Sequence, residues 1–575
     1  MKRYWKYIRP YIQYYILGPC FMMMEVVGDV LLPYMLAKII NQGIAERNVV
    51  YIIKIGAIMG LISVIMAVGG VLGAWFASKA AMNFGADLRM DLFEKIQQFS
   101  FQNIDNFSTG SLITRLTNDI TQIQNMIMMT LRMCLRSPGI LIGAMVMAFV
   151  ISPKLAAIFI IVLPVLAVLI VVIMRRAFPQ FRTLQEKLDA LNSCIQEGLV
   201  GIRLIKSFVR GDYEEMRFEK RNQQLKEANL TAMKTMLLYT PLMTLALNIT
   251  TVVVVWSGGN MIVAGNMQVG DLTAFTNYIV QIMSSLTMLS IAFLNWARAI
   301  ASFRRVGEVL DEKIDLTDEN AKHKYRAVCE GSVEFQNVSF RYYKNSPEWV
   351  IENISFKLEA GKTLGIIGST GSGKSTLVSM IPRLYDTDGG TVLVDGINVR
   401  DYGLKPLREG IGMVLQNNTL FSGSITENLK WGDEHADEKA VRKAAQNAQA
   451  AGFIDSFKDG YRTRLEQSGN NVSGGQKQRL CIARALLKCP KILILDDSTS
   501  AVDTATERAI REALHSEYKD MTKIIIAQRI RSVMDADEIL VLDNGKTAGF
   551  GTHEQLLADC PVYREIYDVQ NGREE

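Results

Sequence analysis

The chain has little of what a metalloprotein, a disulfide scaffold or a nucleic-acid binder requires. Its 575 residues include only seven cysteines and four histidines. Cys20, Cys134, Cys194, Cys329, Cys481, Cys489 and Cys560 show no CxxC spacing and no grouping with His323, His435, His515 or His553. That pattern argues against zinc and disulfides, and for free thiols in a reducing compartment or in lipid. Nor is one sign of charge in surplus: 63 Lys and Arg against 58 Asp and Glu leave +5, so nucleic acid is not an expected partner. The basic, aromatic start MKRYWKYIRPYIQYY has no small-residue cleavage site before a short apolar core. It reads as an interfacial helix leading into a first span, and not as a cleaved signal.

Apolar residues are unevenly spread. The first half holds runs long enough to cross a bilayer, while the part after about Asp311 is mixed and charged like a soluble domain. Six candidate spans fall near 14–39, 51–77, 137–151, 155–174, 236–264 and 272–296. The third is short for a bilayer and is expected to begin upstream, among 126–135. Long basic stretches follow the second span (Arg89, Lys95, Arg115) and the fourth (Arg175, Arg176, Arg182, Lys187, Arg203, Lys206, Arg210). By the positive-inside rule, both termini, the long loops and the C-terminal half are expected on the cytoplasmic side of a cell membrane. Helical patterning runs on through ADLRMDLFEKIQQ, LITRLTNDITQI and FRTLQEKLDALNSCIQEGLVGIRLIKSF, so the spans are expected to project beyond the bilayer as helices.

Glu25 and Asp29 lie four apart on one face of the first span. From a start near Tyr14, Glu25 sits roughly 16 Å in, near mid-bilayer. Two readings stand side by side: a cavity lining that prefers cationic or hydrogen-bonding substrates, or a polar contact between helices. Asn248, Thr250, Thr251, Asn277 and Gln281 admit the same two readings.

From Val333 onward the pattern becomes strand–loop–helix. TLGIIG precedes the loop GSTGSGKST, and TLVSMIPRLY follows it. This is the context that separates a phosphate-binding P-loop from a chance glycine match. Gly368, Gly371 and Gly373 let backbone N–H groups, with those of Ser369, Thr370 and Ser372, wrap phosphates. Lys374 reaches the β- and γ-phosphates, and Ser375 or Thr376 offers a hydroxyl to Mg²⁺. The apolar strand in ILILDDSTSAVD ends at Asp496, the acidic partner expected for the Mg²⁺ shell. In NVSGGQKQRLCIARALL, Ser473 is expected to cap a helix that opens Gly474, Gly475, Gln476 and presents an anion-binding N-terminus.

Taken together with FSTGSLITRLTNDI, GDLTAF and RRVGEVLDE, these motifs make the chain resemble an ATP-binding cassette (ABC) exporter half-transporter over essentially its whole length. The resemblance implies an α-helical six-span transmembrane domain (1–310) with long cytoplasmic helix extensions. A linker (311–332) then joins it to an α/β, RecA-like nucleotide-binding domain with a helical subdomain (333–575). It implies ATP and Mg²⁺ as cofactors, a lipid bilayer, and a second half-transporter as partner. It also assigns Tyr342 in SFRYY to adenine stacking, with Tyr343 the close competitor, since stacking needs only an aromatic face. Gln416 is implied to sense Mg²⁺ and the attacking water, so Ser375, Gln416 and Asp496 form the Mg²⁺ set. Asp503 is implied to communicate between two ATP sites, and Ser473–Gln476 to complete the partner's P-loop.

The chain departs from the family pattern at two positions. The residue after Asp496, usually a glutamate that orients the attacking water, is Asp497; the usual histidine at the γ-phosphate is Gln528. A carboxylate one methylene short misplaces the water, and about 1 Å of misplacement costs about 10²-fold in rate. Glutamine carries no positive charge. The expectation is a heterodimer of the bacterial multidrug-exporter kind, in which this chain supplies the P-loop of a degenerate site and exports amphiphilic, drug-like compounds. Three alternatives stand beside it: a homodimer using Asp497 as a slow base, a lipid or peptide exporter, and a regulatory ATP-binding membrane protein that transports nothing.

Overall fold

The computed structural model describes residues 2–344, 346–498 and 502–570. Residues 499–501 of the ILILDDSTSAVD stretch lie outside the described set, as do several side chains between 290 and 298, within the sixth expected span. The chain forms two compact units. One comprises Met1–Gln97 and Thr109–Asp311, the other Gln98–Ser108 and Glu312–Glu575.

The regular elements of the first unit's described residues are all helices, built on α1 (Ile12–Lys38) and α2 (Val49–Gln97). In the second unit, α3 (Phe101–Asp105) is a short helix closed by a reciprocal cap between Ser100 and Asn103. Back in the first, α4 (Arg136–Ile151), α5 (Pro153–Val200), α6 (Tyr239–Val263) and α7 (Val269–Asp311) follow. Small residues let α1 and α2 approach closely. A Cβ on Gly73 would lie 3.1 Å from the Gly18 carbonyl, and Ala77, Ala80 and Ala81 are fully buried. Phe159 of α5 stacks on Phe275 of α7 with centroids 5.5 Å apart, and the Tyr278 hydroxyl donates to the Val30 carbonyl at 2.8 Å.

Five helical runs among the described residues are long and apolar enough to cross a membrane: Trp5–Ile44, Val49–Gln97, Thr109–Ile151, Pro153–Val200 and Gly211–Val263. The third begins well upstream of 137, in line with the shortness of its apolar run. The sixth expected span lies within α7, a continuous 43-residue helix. A 49-residue helix such as α2 is about 74 Å long against a hydrocarbon core of about 30 Å. The continuation after the second span is unbroken helix to Gln97, as the patterning indicates, whereas that after the fourth breaks at Gly201 before a short helix Ile202–Ser207, and LITRLTNDITQI passes through a π-helical turn at Arg115–Asp119.

Besides a short antiparallel pair, β7 (Gly423–Ser424) with β8 (Arg464–Leu465), the second unit holds two main sheets. One has the order β2–β1–β4–β5, from β1 (Val333–Phe340), β2 (Ile351–Leu358), β4 (Gly389–Val394) and β5 (Ile397–Asn398). The other has the order β12–β11–β3–β10–β9–β6. Its members are β3 (Thr363–Gly368), β6 (Ile411–Val414), β9 (Ile492–Asp496), β10 (Thr522–Ile526), β11 (Glu538–Asp543) and β12 (Lys546–Gly551). β3, β6, β9, β10 and β11 run parallel and β12 antiparallel. Parallel strands are buried on both faces, which is why Ile492–Leu495 of β9 and Ile524–Ile526 of β10 are continuous apolar runs with no alternation. Helices α8 (Lys374–Ser379), α9 (Gly474–Leu487), α10 (Thr504–Glu517) and α11 (Pro561–Gln570) complete the elements used below. The Asp395 carboxylate, in the turn after β4, accepts the N–H groups of Cys329, Glu330, Gly331 and Ser332 at 2.7–3.1 Å and so ties the entry of β1 to that turn.

Candidate nucleotide site

The register of the parallel sheet brings the chemistry together. Ile526 of β10 lies opposite both Ile366 of β3 and Asp496 of β9, so the carboxyl ends of these three strands lie side by side. Open α/β sheets bind ligands at that end. The P-loop leaves β3, Asp496 closes β9, Gln528 follows β10, and Gln416 follows β6, whose Val414 pairs with Leu495.

Backbone geometry within the P-loop requires glycine. Gly373 has φ +90°, and a Cβ there would meet the Val350 carbonyl at 2.8 Å; at Gly368 it would meet the Leu542 carbonyl at 2.1 Å. Lys374 Nζ donates to the carbonyls of Gly368 and Ser369 at 2.8 and 2.7 Å. Its burial lowers the ammonium pKa, against the pull of Asp497 and Asp496. A polyphosphate bound beside it would act against that lowering, as the two carboxylates do. The Ser375 hydroxyl donates to Asp496 Oδ1 at 2.9 Å. Asp496 is almost wholly buried, and that burial raises its pKa while the Ser375 bond lowers it. A hydroxyl and a carboxylate side by side are hard oxygen donors of the kind Mg²⁺ takes. Thr376, the other candidate hydroxyl, is bonded instead to Tyr342 Oη at 2.8 Å.

Tyr342 is 38% exposed, and its ring packs edge-on against Phe340 and Tyr385; Tyr343 is 77% exposed. Tyr342 is therefore the aromatic tied to the P-loop helix, and Tyr343 the freer face. Ser473 caps α9 reciprocally: its hydroxyl accepts the Gln476 N–H at 3.3 Å, and the Gln476 side chain accepts the Ser473 N–H at 2.9 Å. Asp503 caps α10, accepting from the Thr506 N–H at 3.0 Å and from its hydroxyl at 2.8 Å; the Thr506 N–H holds its carboxyl below the usual range.

The two unusual positions meet. Gln528 Nε2 donates to Asp497 Oδ2 at 2.7 Å. Burial raises the Asp497 pKa, and the Gln528 bond and the Lys374 charge act in the other direction. Asp497 also sits at φ +48°, a conformation few non-glycine residues adopt.

Comparison with known proteins fits this geometry. The family described as "ABC transporter transmembrane region" matches residues 15–286, and "ABC transporter" matches residues 351–500. YfiB of Bacillus subtilis, an uncharacterised ABC transporter ATP-binding protein, is 39% identical over 100% of this chain and 99% of its own. The chain belongs to the ABC transporter family. It is an exporter half-transporter, with membrane and nucleotide-binding parts fused in one multi-pass membrane polypeptide, and such exporters act as dimers. YgaD of Bacillus subtilis, provisionally named a multidrug export ATP-binding/permease protein, is 33% identical over 99% of both chains. The solved structure of a bacterial Atm1-family ABC exporter with ATP bound shares the fold, with a TM-score of 0.81 at 24% identity over 98% of each chain.

Within the helical unit, the structure pairs Glu25 and Asp29 with a residue that sequence reasoning passed over. One Arg136 Nη2 reaches Glu25 Oε1 at 2.8 Å and Asp29 Oδ2 at 3.4 Å. Arg136 lies at the edge of the third apolar run, where an intramembrane acid should prompt a search for a base. Gln281 Nε2 donates to the Asp29 carbonyl at 2.8 Å. Thr250, Thr251 and Asn277 donate to carbonyls four residues back in their own helices. His553 is a packing residue, its Nδ1 2.7 Å from Tyr563 Oη. All seven cysteines are free.

Proposed function

We propose that this chain is one half of a heterodimeric, ATP-driven exporter of amphiphilic, drug-like compounds, and that the ATP site built on its own P-loop is degenerate. The observation that carries the reading is the 2.7 Å bond from Gln528 to Asp497. A neutral amide occupies the carboxylate that would otherwise orient water, and both departures from the family pattern fall on one contact.

In this reading, residues 1–310 are the transmembrane domain, with six spans and the long helix extensions and termini on the cytoplasmic side. Residues 311–332 link it to the nucleotide-binding domain, 333–575, with its helical subdomain. The P-loop amides from Gly368 to Thr376 and Lys374 hold the phosphates, and Tyr342 stacks on adenine. Ser375, Asp496 and Gln416 would hold Mg²⁺, which when bound would supply charge neutralisation on the phosphate oxygens. Ser473–Gln476 lends its capped helix N-terminus to the partner's ATP, and Asp503 communicates between the sites. ATP held at this chain's site biases the closed pair by its differential affinity for that state. Hydrolysis at the partner's P-loop, where a Glu and a His are expected, resets the cavity.

The provisional multidrug-export name of YgaD supports the substrate class. Glu25, Asp29 and Arg136 act first as a clasp between α1 and α4. Two carboxylates against one guanidinium leave an acidic balance that favours cationic amphiphiles over anionic ones. The test is Mg-ATP turnover by the purified chain, alone and then with a half-transporter carrying Glu and His. Slow turnover alone and brisk, substrate-stimulated turnover in the pair is the expected result; brisk turnover by the lone chain overturns the degenerate-site reading in favour of the homodimer.

A further inference from the structure

Helix α11 is anchored before it reaches the nucleotide site. Tyr563 is fully buried in the core that includes β11, and its hydroxyl meets His553. From the last turn, Gln570 sets its amide against the loop after β10. Its Oε1 accepts the Ile530 N–H at 2.8 Å, and its Nε2 donates to the Gln528 carbonyl at 2.8 Å. Ile530 opens a 3-10 turn whose N-cap, Arg529, makes no side-chain cap bond, so Gln570 satisfies a donor that this helix start leaves orphaned. One planar amide thus grips the backbone on both sides of Arg529. Gln528 extends from that backbone to Asp497.

We infer that Gln570 is a positioning residue: through this two-point grip, the C-terminal helix sets where the Gln528 side chain stands relative to Asp497 and the γ-phosphate. The inference rests on the reading above that Gln528 faces the γ-phosphate. An amide is required because the loop presents one donor and one acceptor. Glutamate keeps the bond to Ile530 but sets a carboxylate against the Gln528 carbonyl, and alanine loses both bonds.

The experiment uses the full chain in nanodiscs, with hydrogen exchange at Ile530 and equilibrium binding of ATP and ADP as readouts. In Q570A the Ile530 amide exchanges roughly fivefold faster or more, the worth of one lost hydrogen bond, while exchange in β3 and β9 is unchanged. ATP affinity falls about 3–10-fold and ADP affinity holds, because only ATP has the phosphate that Gln528 meets. Q570E weakens ATP to a similar degree. Q528A weakens ATP against ADP by itself, and adding Q570A to it has no further effect. Unchanged Ile530 exchange in Q570A, equal losses for ATP and ADP, or full additivity with Q528A overturns the positioning role. A Q528A variant that leaves the ATP-to-ADP ratio untouched, while Ile530 exchange still responds to Q570A, overturns the γ-phosphate reading instead.

Discussion

Restoring the family residues at the two unusual positions gives the sharpest test of the site. In the native chain Asp497 Oδ2 is held 2.7 Å from Gln528 Nε2, a bond to a charged acceptor worth about 1.5–3 kcal/mol. Asp497→Glu adds one C–C bond, about 1.5 Å of reach. Gln528→His removes the amide that holds the carboxylate aside and supplies a ring able to carry charge. If about 1 Å of misplacement costs about 10²-fold, or about 2.7 kcal/mol of barrier, the double variant raises Mg-ATP hydrolysis by the lone chain about 10- to 100-fold. In a heterodimer the ceiling is different. The partner's P-loop already turns over, so a second working site at most about doubles the rate on the same physical argument. Asp497→Glu alone should gain less than the pair, since Gln528 remains to hold the longer carboxylate. Phosphate release measured for both assemblies, with ATP affinity as the control, decides the matter. No gain in either assembly with ATP binding intact refutes the misplacement argument, and a full gain from Asp497→Glu alone refutes the role given to Gln528.

Other substitutions probe neighbouring parts. Tyr342→Ala should weaken binding of a fluorescent ATP analogue about 2–10-fold while Tyr343→Ala leaves it unchanged; the reverse pattern would move the adenine contact to the freer ring. Gln528→Ala deletes a donor that favours the ionised form of Asp497, whose pKa burial already raises, so that pKa should rise further. The acid limb of the pH–rate profile at this site, measured in the lone chain, then moves to higher pH; a shift to lower pH contradicts the assignment. Arg136→Ala leaves Glu25 and Asp29 without their shared base. Because all three side chains are about a quarter exposed, the expected loss is about 1–2 kcal/mol, below that of a fully buried pair. Tm should fall, and Glu25→Gln added to Arg136→Ala should recover part of it.

The parts legible in the sequence are those whose logic is local. The P-loop, the strand ending at Asp496 and the Ser473 cap each occupy fewer than about twenty residues, and their turn and cap chemistry depends on neighbours in the chain. The helix extensions were legible because amphipathic periodicity survives past the apolar run. Long-range pairings were not. Arg136 finds Glu25 from 111 residues away, and Gln570 finds Gln528 from 42 residues away. Nothing in the local pattern of either residue marks its partner. Tyr342 was legible as an aromatic before a P-loop, but its bond to Thr376 depends on β1 and α8 meeting in space.

Residues 98–108 belong to the nucleotide-binding unit although helices of the other unit flank them in the chain. Phe101 lies against Tyr385, whose hydroxyl donates to Asp105 at 3.0 Å, and Asn103 donates to Glu312 and the Lys313 carbonyl. Every one of those partners is synthesised long afterwards. At about 5–20 residues per second, the segment waits on the order of ten seconds or more for the surface it will join. The nascent chain therefore carries an unfinished piece of its ATPase part through the making of most of the membrane part. Defects in the Tyr385 surface would then appear first as failed assembly during synthesis, before any fault in ATP turnover could be seen.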